Sequence, residues 1–417
     1  MNLEDDRRVD VLIVGGGPGG LAAARGYRKA GGRGTVLLIS ADAHPPYARP
    51  PLTKDYLRGE SEAADLPLAD EDWYTDNAVE LQLNAQVLGI DADRKRAQLA
   101  DGSTVRYERL ALVTGSSPIP LPIPGADLPG LVYVRDRHSG EALRGLAQAG
   151  GRVVVVGSGF IGCEVAASLA RRGVAVVLVT DEALPHAARL GEDAGARIAD
   201  WLRAEGVELI LQDGAAALRS DGDSWQVVLT SGRTLHSNGV VSGSGAQPNL
   251  ALAESAGVKI NNGGVVTDAE LRTSDPAIWA AGDIAYAHNP AADRHLRVEH
   301  WGEAEAMGEI VGANLAGDHQ HWAVAPGFWS TIGDHELKYS AWGDGYDRAD
   351  LVEGPEGWAV CTAAMAPWSA CWPRTGTRRT SAASHFSSEV LRWPRQSTSP
   401  RAISPRAASD HDQRPRE

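Results

Sequence analysis

Two glycine triplets carry the first chemical signal. Gly15, Gly17 and Gly20 follow the apolar run VDVLIV, and Gly157, Gly159 and Gly162 follow RVVVV; both have the spacing G-x-G-x-x-G between a strand and a helix. The first glycine permits the tight turn, the second lets backbone approach a pyrophosphate, and the third lets helix and strand pack. The helix that follows points free N–H groups at the phosphates. One such turn is weak evidence; two of them imply a chain that holds two dinucleotides. Between them, PPYARPPLTK carries Arg49 and Lys54 in a proline-dense stretch. Proline this dense predicts a rigid extended loop, able to hold a cation against a flat ring that gains negative charge on reduction. The same residues would equally serve as solvated charges on a surface loop. Farther on, Gly282 and Asp283 end the apolar run IWAA, where a carboxylate could accept a hydrogen bond from a sugar-like hydroxyl chain. Gly-Asp is also a common turn.

Elements must position these groups. Leu21 to Arg28 reads as helix and Thr35 to Ile39 as the second parallel strand, after which Ser40 stands where an acid would hold the adenosine ribose. Asp42 is the displaced ribose candidate; it could also be a turn aspartate. Glu80 to Leu99 alternates as a β meander with a turn at Asp101-Gly102, and Pro118 to Pro129 reads as a linker. In the second unit the ribose position is Thr180, followed by Asp181 and Glu182, with no arginine to receive a 2′-phosphate; this favours NADH over NADPH and makes Asp181 the NAD candidate. Glu164 lies two residues past Gly162, in the expected first helical turn, where a carboxylate also complements the helix dipole. Asp193 to Glu205 reads as another helix.

Composition bounds the rest. A chain of 417 residues suits two or three domains, and 43% hydrophobic content reads as globular. The formal net charge of −14 argues against nucleic acid and would suit a basic patch on a partner. No apolar run approaches the roughly 20 residues that span a bilayer, and the N-terminus is unlike a signal peptide, so a cytoplasmic location is expected. Cys163, Cys361 and Cys371 form no C-x-x-C pair and no metal spacing, which disfavours a disulfide relay and predicts no metal. Cys163 reads as a small core residue.

The combination of the first glycine turn, P-Y-x-R-P-P-L-[ST]-K and G-x-G-F-I-G-x-E resembles the FAD-dependent NADH:ferredoxin reductases that serve Rieske-type oxygenases and P450 systems; apoptosis-inducing factor shares the pattern. The resemblance runs from about Val9 to about Ala359. It implies an α/β fold with two Rossmann-like, three-layer dinucleotide-binding domains, the FAD domain discontinuous, and a small incomplete α+β C-terminal domain. The expected division is 1–118 with 241–320 for FAD, 119–240 for NAD, and 321–365 for the third domain, beginning near Trp322. It further implies that Arg49 and Lys54 contact FAD, that Lys54 pairs with Glu164 beside the nicotinamide, and that Val87 lends backbone to the adenine. Thr114, in LALVTG, would touch the flavin where the chain crosses between domains. Arg135 would meet the FAD phosphates, Gly282 and Asp283 the ribityl chain, and Trp301 the flavin. Trp329, in F-W-S, would stack at the flavin on the way to a ferredoxin-type iron–sulfur partner. A redox-sensing NADH-binding flavoprotein like apoptosis-inducing factor is the alternative; a disulfide or peroxide reductase would need a cysteine near the flavin.

The last segment departs from this pattern. From about Cys361 the expected alternating strands vanish, and residues 373–417 hold nine arginines against four acids. Residues 366–417 therefore read as a disordered basic tail or as a frameshift product, the latter leaving a truncated and inactive protein. Back-translated with GC-rich codons and read two bases later, CTAAMAPWSACWPRTGTRRT can spell YGGDGALVGVLAPNGDEDY, which has the strand, turn, strand and acidic finish expected of the third domain.

Overall fold

The computed structural model describes residues 6–363 apart from 223, 344, 355 and 356. The tail from 366 and Cys371 lie outside the described residues. Two mainly parallel sheets organise the α/β architecture. In the first, Val79–Gln82, Val36–Ile39, Asp6–Val14 and Thr104–Leu112 run parallel in that order. The early residues of the long Thr104–Leu112 strand pair antiparallel with Arg96–Leu99, which pairs in turn with Val87–Asp91. Its later residues pair parallel with Ile278–Ala280. Side chains alternate between the faces: Val11 and Ile13 enter one apolar cluster, Leu12 and Val14 another. A sheet covered on both faces needs the continuous apolar runs seen in the sequence.

The second sheet is wholly parallel, in the order Glu208–Ile210, Ala175–Val179, Arg152–Val156, Gly239–Ser242, Val132–Tyr133. It too is buried on both sides, with Val153 and Val155 in one cluster and Val154 and Val156 in another. The two sheets are joined by Ser116–Pro118 running antiparallel to Ala246–Pro248, so the outward and return crossings lie side by side. The return crossing expected at 241 falls later, because Gly239–Ser242 stays in the second sheet to its end.

Four further expectations change. The stretch expected as an extended loop is helical at its end: Pro50–Thr53 is a 3-10 turn with proline at its start, and Asp55–Arg58 continues as helix. Val79–Gln82 joins the parallel sheet, so the meander begins only at Val87. Trp322, placed at the start of the third domain, is fully buried in the first cluster and donates its indole N–H to Glu303. The strand regularity expected to stop at Cys361 persists to Ala363, since Gly357–Ala363 pairs with Arg348–Gly354 and sets Cys361 opposite Asp350. Between Trp322 and that pair lies the hairpin Gly327–Ile332/His335–Ser340. Among the described residues no helix is long and apolar enough to cross a membrane.

Candidate functional site

Both glycine triplets form strand-to-helix turns whose crowding explains the residue type. A Cβ at Gly15 would overlap the Val113 carbonyl, and one at Gly20 would overlap the Gly15 carbonyl. The second unit repeats this: a Cβ at Gly162 would overlap the Gly157 carbonyl, and Gly157 faces the Gly243 carbonyl. The middle glycines differ from their neighbours. A Cβ at Gly17 would meet nothing within 4 Å and one at Gly159 would meet only Gly243 O at 3.6 Å, which leaves both backbones approachable. Each caps its helix, Pro18–Lys29 or Phe160–Arg171, whose first-turn N–H groups have no intrahelical partner.

The second unit's helix also places Glu164. The helix starts at Phe160, so Glu164 lies beyond the first turn where it was expected, and dipole compensation no longer accounts for it. Its carboxylate is buried and satisfied from two other segments. Oε2 accepts Thr53 Oγ1 at 2.5 Å and Lys54 Nζ at 2.6 Å, while Oε1 accepts Ser330 Oγ at 2.7 Å. Lys54 is also buried, and Pro50 O stands 3.3 Å from its ammonium. The 3-10 turn puts Thr53 and Lys54 at its end so that both reach one oxygen. Ser168, a turn farther along the Phe160–Arg171 helix, donates to Thr53 O at 2.7 Å and fixes the turn against that helix.

A second polar cluster surrounds Asp283. Gly282 adopts φ +71 and its α-carbon faces Ala304, and Asp283 accepts Ser116 Oγ at 2.5 Å and Arg135 at 3.0 Å. The Arg135 carbonyl accepts Arg49 Nη1 at 2.5 Å. Burial and the neighbouring Arg135 guanidinium hold Arg49 below its ordinary value, a setting that an anion would relieve. Next to this cluster, His300 Nδ1 and Trp301 Nε1 are buried without a protein partner. A buried unpaired indole N–H, and a glycine turn approachable at Gly17, are what a polar, phosphate-bearing ligand would satisfy, so the residues present fit FAD.

The remaining expected residues fall in different settings. Asp42 uses both carboxylate oxygens inside its own loop, accepting His44 N and Tyr47 Oη, each at 3.0 Å, which is the turn-aspartate geometry. Val87 is buried at the edge of the first sheet, with a register irregularity before Gly89. Thr114 exchanges hydrogen bonds with Asn249 at 2.8 and 3.0 Å, tying the two crossings together. Trp329 is 41% exposed, and its ring stands edge-on to Trp301 at 6.1 Å. Of the two acids after Thr180, Asp181 is exposed, whereas Glu182 turns inward and accepts Ser158 Oγ at 2.6 Å inside the glycine turn. Glu182, Ser158, Thr53 and Ser330 were not singled out as functional residues from the sequence. The local signals were a hydroxyl residue between the glycines, before Lys54 and after Trp329, and for Glu182 a second acid directly after Asp181. Among the described residues no cluster of His, Cys, Asp and Glu is arranged to hold a metal. Cys163 is fully buried, and burial pushes its thiol well above the usual range.

An aromatic column joins the parts. Phe160 stacks on His186 with centroids 3.8 Å apart and meets Phe328 at 4.4 Å, and Phe328 meets His300 at 4.6 Å. Burial lowers both histidines to about 4.

Residues 9–308 match the family model described as pyridine nucleotide-disulphide oxidoreductase. The chain is 33% identical over 340 residues to rhodocoxin reductase of Rhodococcus erythropolis, covering 81% of this chain and 79% of the relative. It is 36% identical over 325 residues to a rubredoxin-NAD(+) reductase of Pseudomonas putida, covering 77% and 84%. Among solved structures, the covalent putidaredoxin reductase–putidaredoxin complex aligns with TM-score 0.80 at 31% identity over 87% of this chain and 88% of that one. A ferredoxin reductase from Rhodopseudomonas palustris aligns with TM-score 0.79 at 33% identity over 83% and 85%.

Proposed function

The chain belongs to the pyridine nucleotide-disulphide oxidoreductase family, and we propose that within it the protein passes electrons from NADH through FAD to a ferredoxin-type iron–sulfur protein serving an oxygenase or P450. The observation that carries this reading is the buried Lys54–Glu164 ion pair at 2.6 Å, which joins the segment after the first nucleotide unit to the helix of the second. An ion pair at that junction lies where two end-to-end dinucleotides would meet. FAD, when bound, supplies the exchange between a two-electron donor and a one-electron acceptor. The chain supplies position and charge. Gly15 and Gly20 form the tight turn, Gly17 leaves backbone open to the FAD pyrophosphate, and Arg49 and Arg135 supply cations near it. Asp283 accepts from a ribityl hydroxyl, and Thr114 and Trp301 border the ring system. Val87 offers backbone to the adenine. Gly157 and Gly162 form the matching turn for NADH, with Gly159 the approachable backbone. Glu182, in place of Asp181, accepts from the ribose hydroxyls and repels a 2′-phosphate. Lys54, held by Glu164, stabilises negative charge on the reduced ring. Trp329 marks the face where the partner docks.

We divide the chain as two Rossmann-like three-layer domains, the FAD domain interrupted by the NAD domain, followed by a segment whose described residues form two β-hairpins; the return boundary is best set after Ser242. The cytoplasm is the expected compartment. The test is to purify the protein, record its visible spectrum, and follow NADH-driven reduction of a dye and of candidate ferredoxins. A yellow protein that reduces both supports the reading. A folded, colourless protein that takes up no FAD would sink it, and slow turnover with every acceptor would favour the redox-sensing alternative.

A further inference from the structure

We propose that Ser330 is a positioning residue for hydride transfer: its hydroxyl pins the Glu164 carboxylate so that the opposite oxygen stays on Lys54. The proposal rests on the functional reading above and extends it to a residue of the Gly327–Ile332/His335–Ser340 hairpin. A carboxylate end rotates in a broad, roughly two-fold well, so donors on one oxygen alone leave its plane loosely fixed. Thr53 and Lys54 both occupy Oε2 of Glu164, and Ser330 is the donor on Oε1 at 2.7 Å. Ser330 is 0% exposed and Glu164 3% exposed, so water does not compete for that oxygen. A hydrogen bond to a charged acceptor in a dry site is among the stronger kind.

The hydroxyl is itself held at a fixed place. Gly327 N donates to the buried Glu303 at 3.2 Å at the start of the strand, and Arg171 reaches Asp334 at 2.8 Å at the hairpin turn. Strand alternation then turns Phe328 and Ser330 to one side, where Phe328 packs on Phe160, and Trp329 to the other. Three consecutive residues thus join the exposed Trp329 to the buried ion pair. Without Ser330 the carboxylate can swing, and Lys54 keeps only Pro50 O, 3.3 Å away, as a fixed acceptor.

The experiment uses the FAD-loaded full chain and the variants Ser330→Ala, Ser330→Thr and Ser330→Cys. Two quantities are measured: acylation of Lys54 by an amine-reactive succinimidyl ester, read by peptide mass, and the rate of flavin bleaching by saturating NADH. Ser330→Ala should acylate Lys54 about tenfold faster and bleach about tenfold slower, the size of one lost hydrogen bond to a charged group. NADH affinity should stay unchanged. Ser330→Thr should restore both, and Ser330→Cys, a weaker donor, should fall between and serves if the alanine variant does not fold. Wild-type labelling in Ser330→Ala, or equal losses in the alanine and threonine variants, would overturn the proposal. If NADH bleaches no form of the protein, the functional reading fails while the labelling still decides the role of Ser330.

Discussion

The two glycine turns follow one steric plan and then spend their helices differently. In the first unit the helix Pro18–Lys29 is sheathed by Trp301–Ala316 at very short range. A Cβ at Gly19 would press on Ala304 O, one at Gly308 on Gly19 O, one at Gly26 on Glu309 O, and one at Gly312 on Ala23 O. In the second unit the helix Phe160–Arg171 directs Glu164 outward to the Thr53–Lys54 turn. The glycine fingerprint thus specifies the turn and the nucleotide approach, while the face of the helix beyond it decides whether the unit is sealed or reactive. The loops after the second strands diverge as well: Asp42 is consumed by its own turn, and Glu182 faces its glycines.

Breaking the reactive helix should cost most. Glu164→Ala leaves a buried ammonium without its carboxylate, and chemical denaturation should show a loss of about 3–5 kcal/mol, whereas Lys54→Met with Glu164→Leu should recover most of it. In the loaded protein Lys54→Ala should slow NADH-driven flavin bleaching by about 10²–10³-fold with little loss of bound flavin. Unchanged bleaching would remove Lys54 from the mechanism.

The aromatic column beside that helix sharpens the contrast through pH. His186 and His300 are lowered from 6.5 to about 4, by burial first and Arg189 second. Their folded forms bind fewer protons than the unfolded chain between those values. Stability should therefore be full above about pH 6.5 and fall as pH drops toward 4, by at most about 3 kcal/mol per histidine. Melting of His186→Asn, which keeps the left-handed backbone at that position, should show a flatter acid limb.

The sealed helix yields a smaller effect. Gly312→Val should destabilise by about 1–3 kcal/mol through overpacking. Gly17→Ala, facing open space, should shift the flavin-free melting free energy by about 0.5 kcal/mol or less yet retain less flavin; equal melting losses in the two variants would show that the steric distinction is wrong. Smallest is the loop comparison. Glu182→Ala should raise the NADH KM about tenfold, the loss of one hydrogen bond to a charged acceptor, and Asp181→Ala should leave it alone.

Much of this was legible in the sequence because it depends on short-range rules. Strand, glycine turn and helix recur within one window, and Gly15, Gly157 and the run IWAAGD read correctly as turns. Glu164 and Lys54 were joined only through resemblance, since nothing local links residues 110 apart in sequence. The 3-10 turn at Pro50 was hidden because dense proline suits extended backbone as well as a helical start. Trp322 looked like the opening of a new segment, yet its partner Glu303 lies one helix earlier, a long-range choice that composition does not record. Ser330 and Glu182 were missed for the same reason: what a hydroxyl or an acid faces is set by the fold.

The sealing of the first helix also constrains how the molecule is made. Lys29 and Glu309, which pair across that helix contact, are 280 residues apart in sequence. The amino-terminal unit therefore leaves the ribosome long before the helix that covers its glycine-lined flank, whereas the strands of the second sheet are contiguous from Val132 to Ser242 but share their core with Leu57, Ile332 and Leu337 from outside that span. Both units thus wait on late-made segments, the first on the helix over its flank and the second on the hairpin against its core.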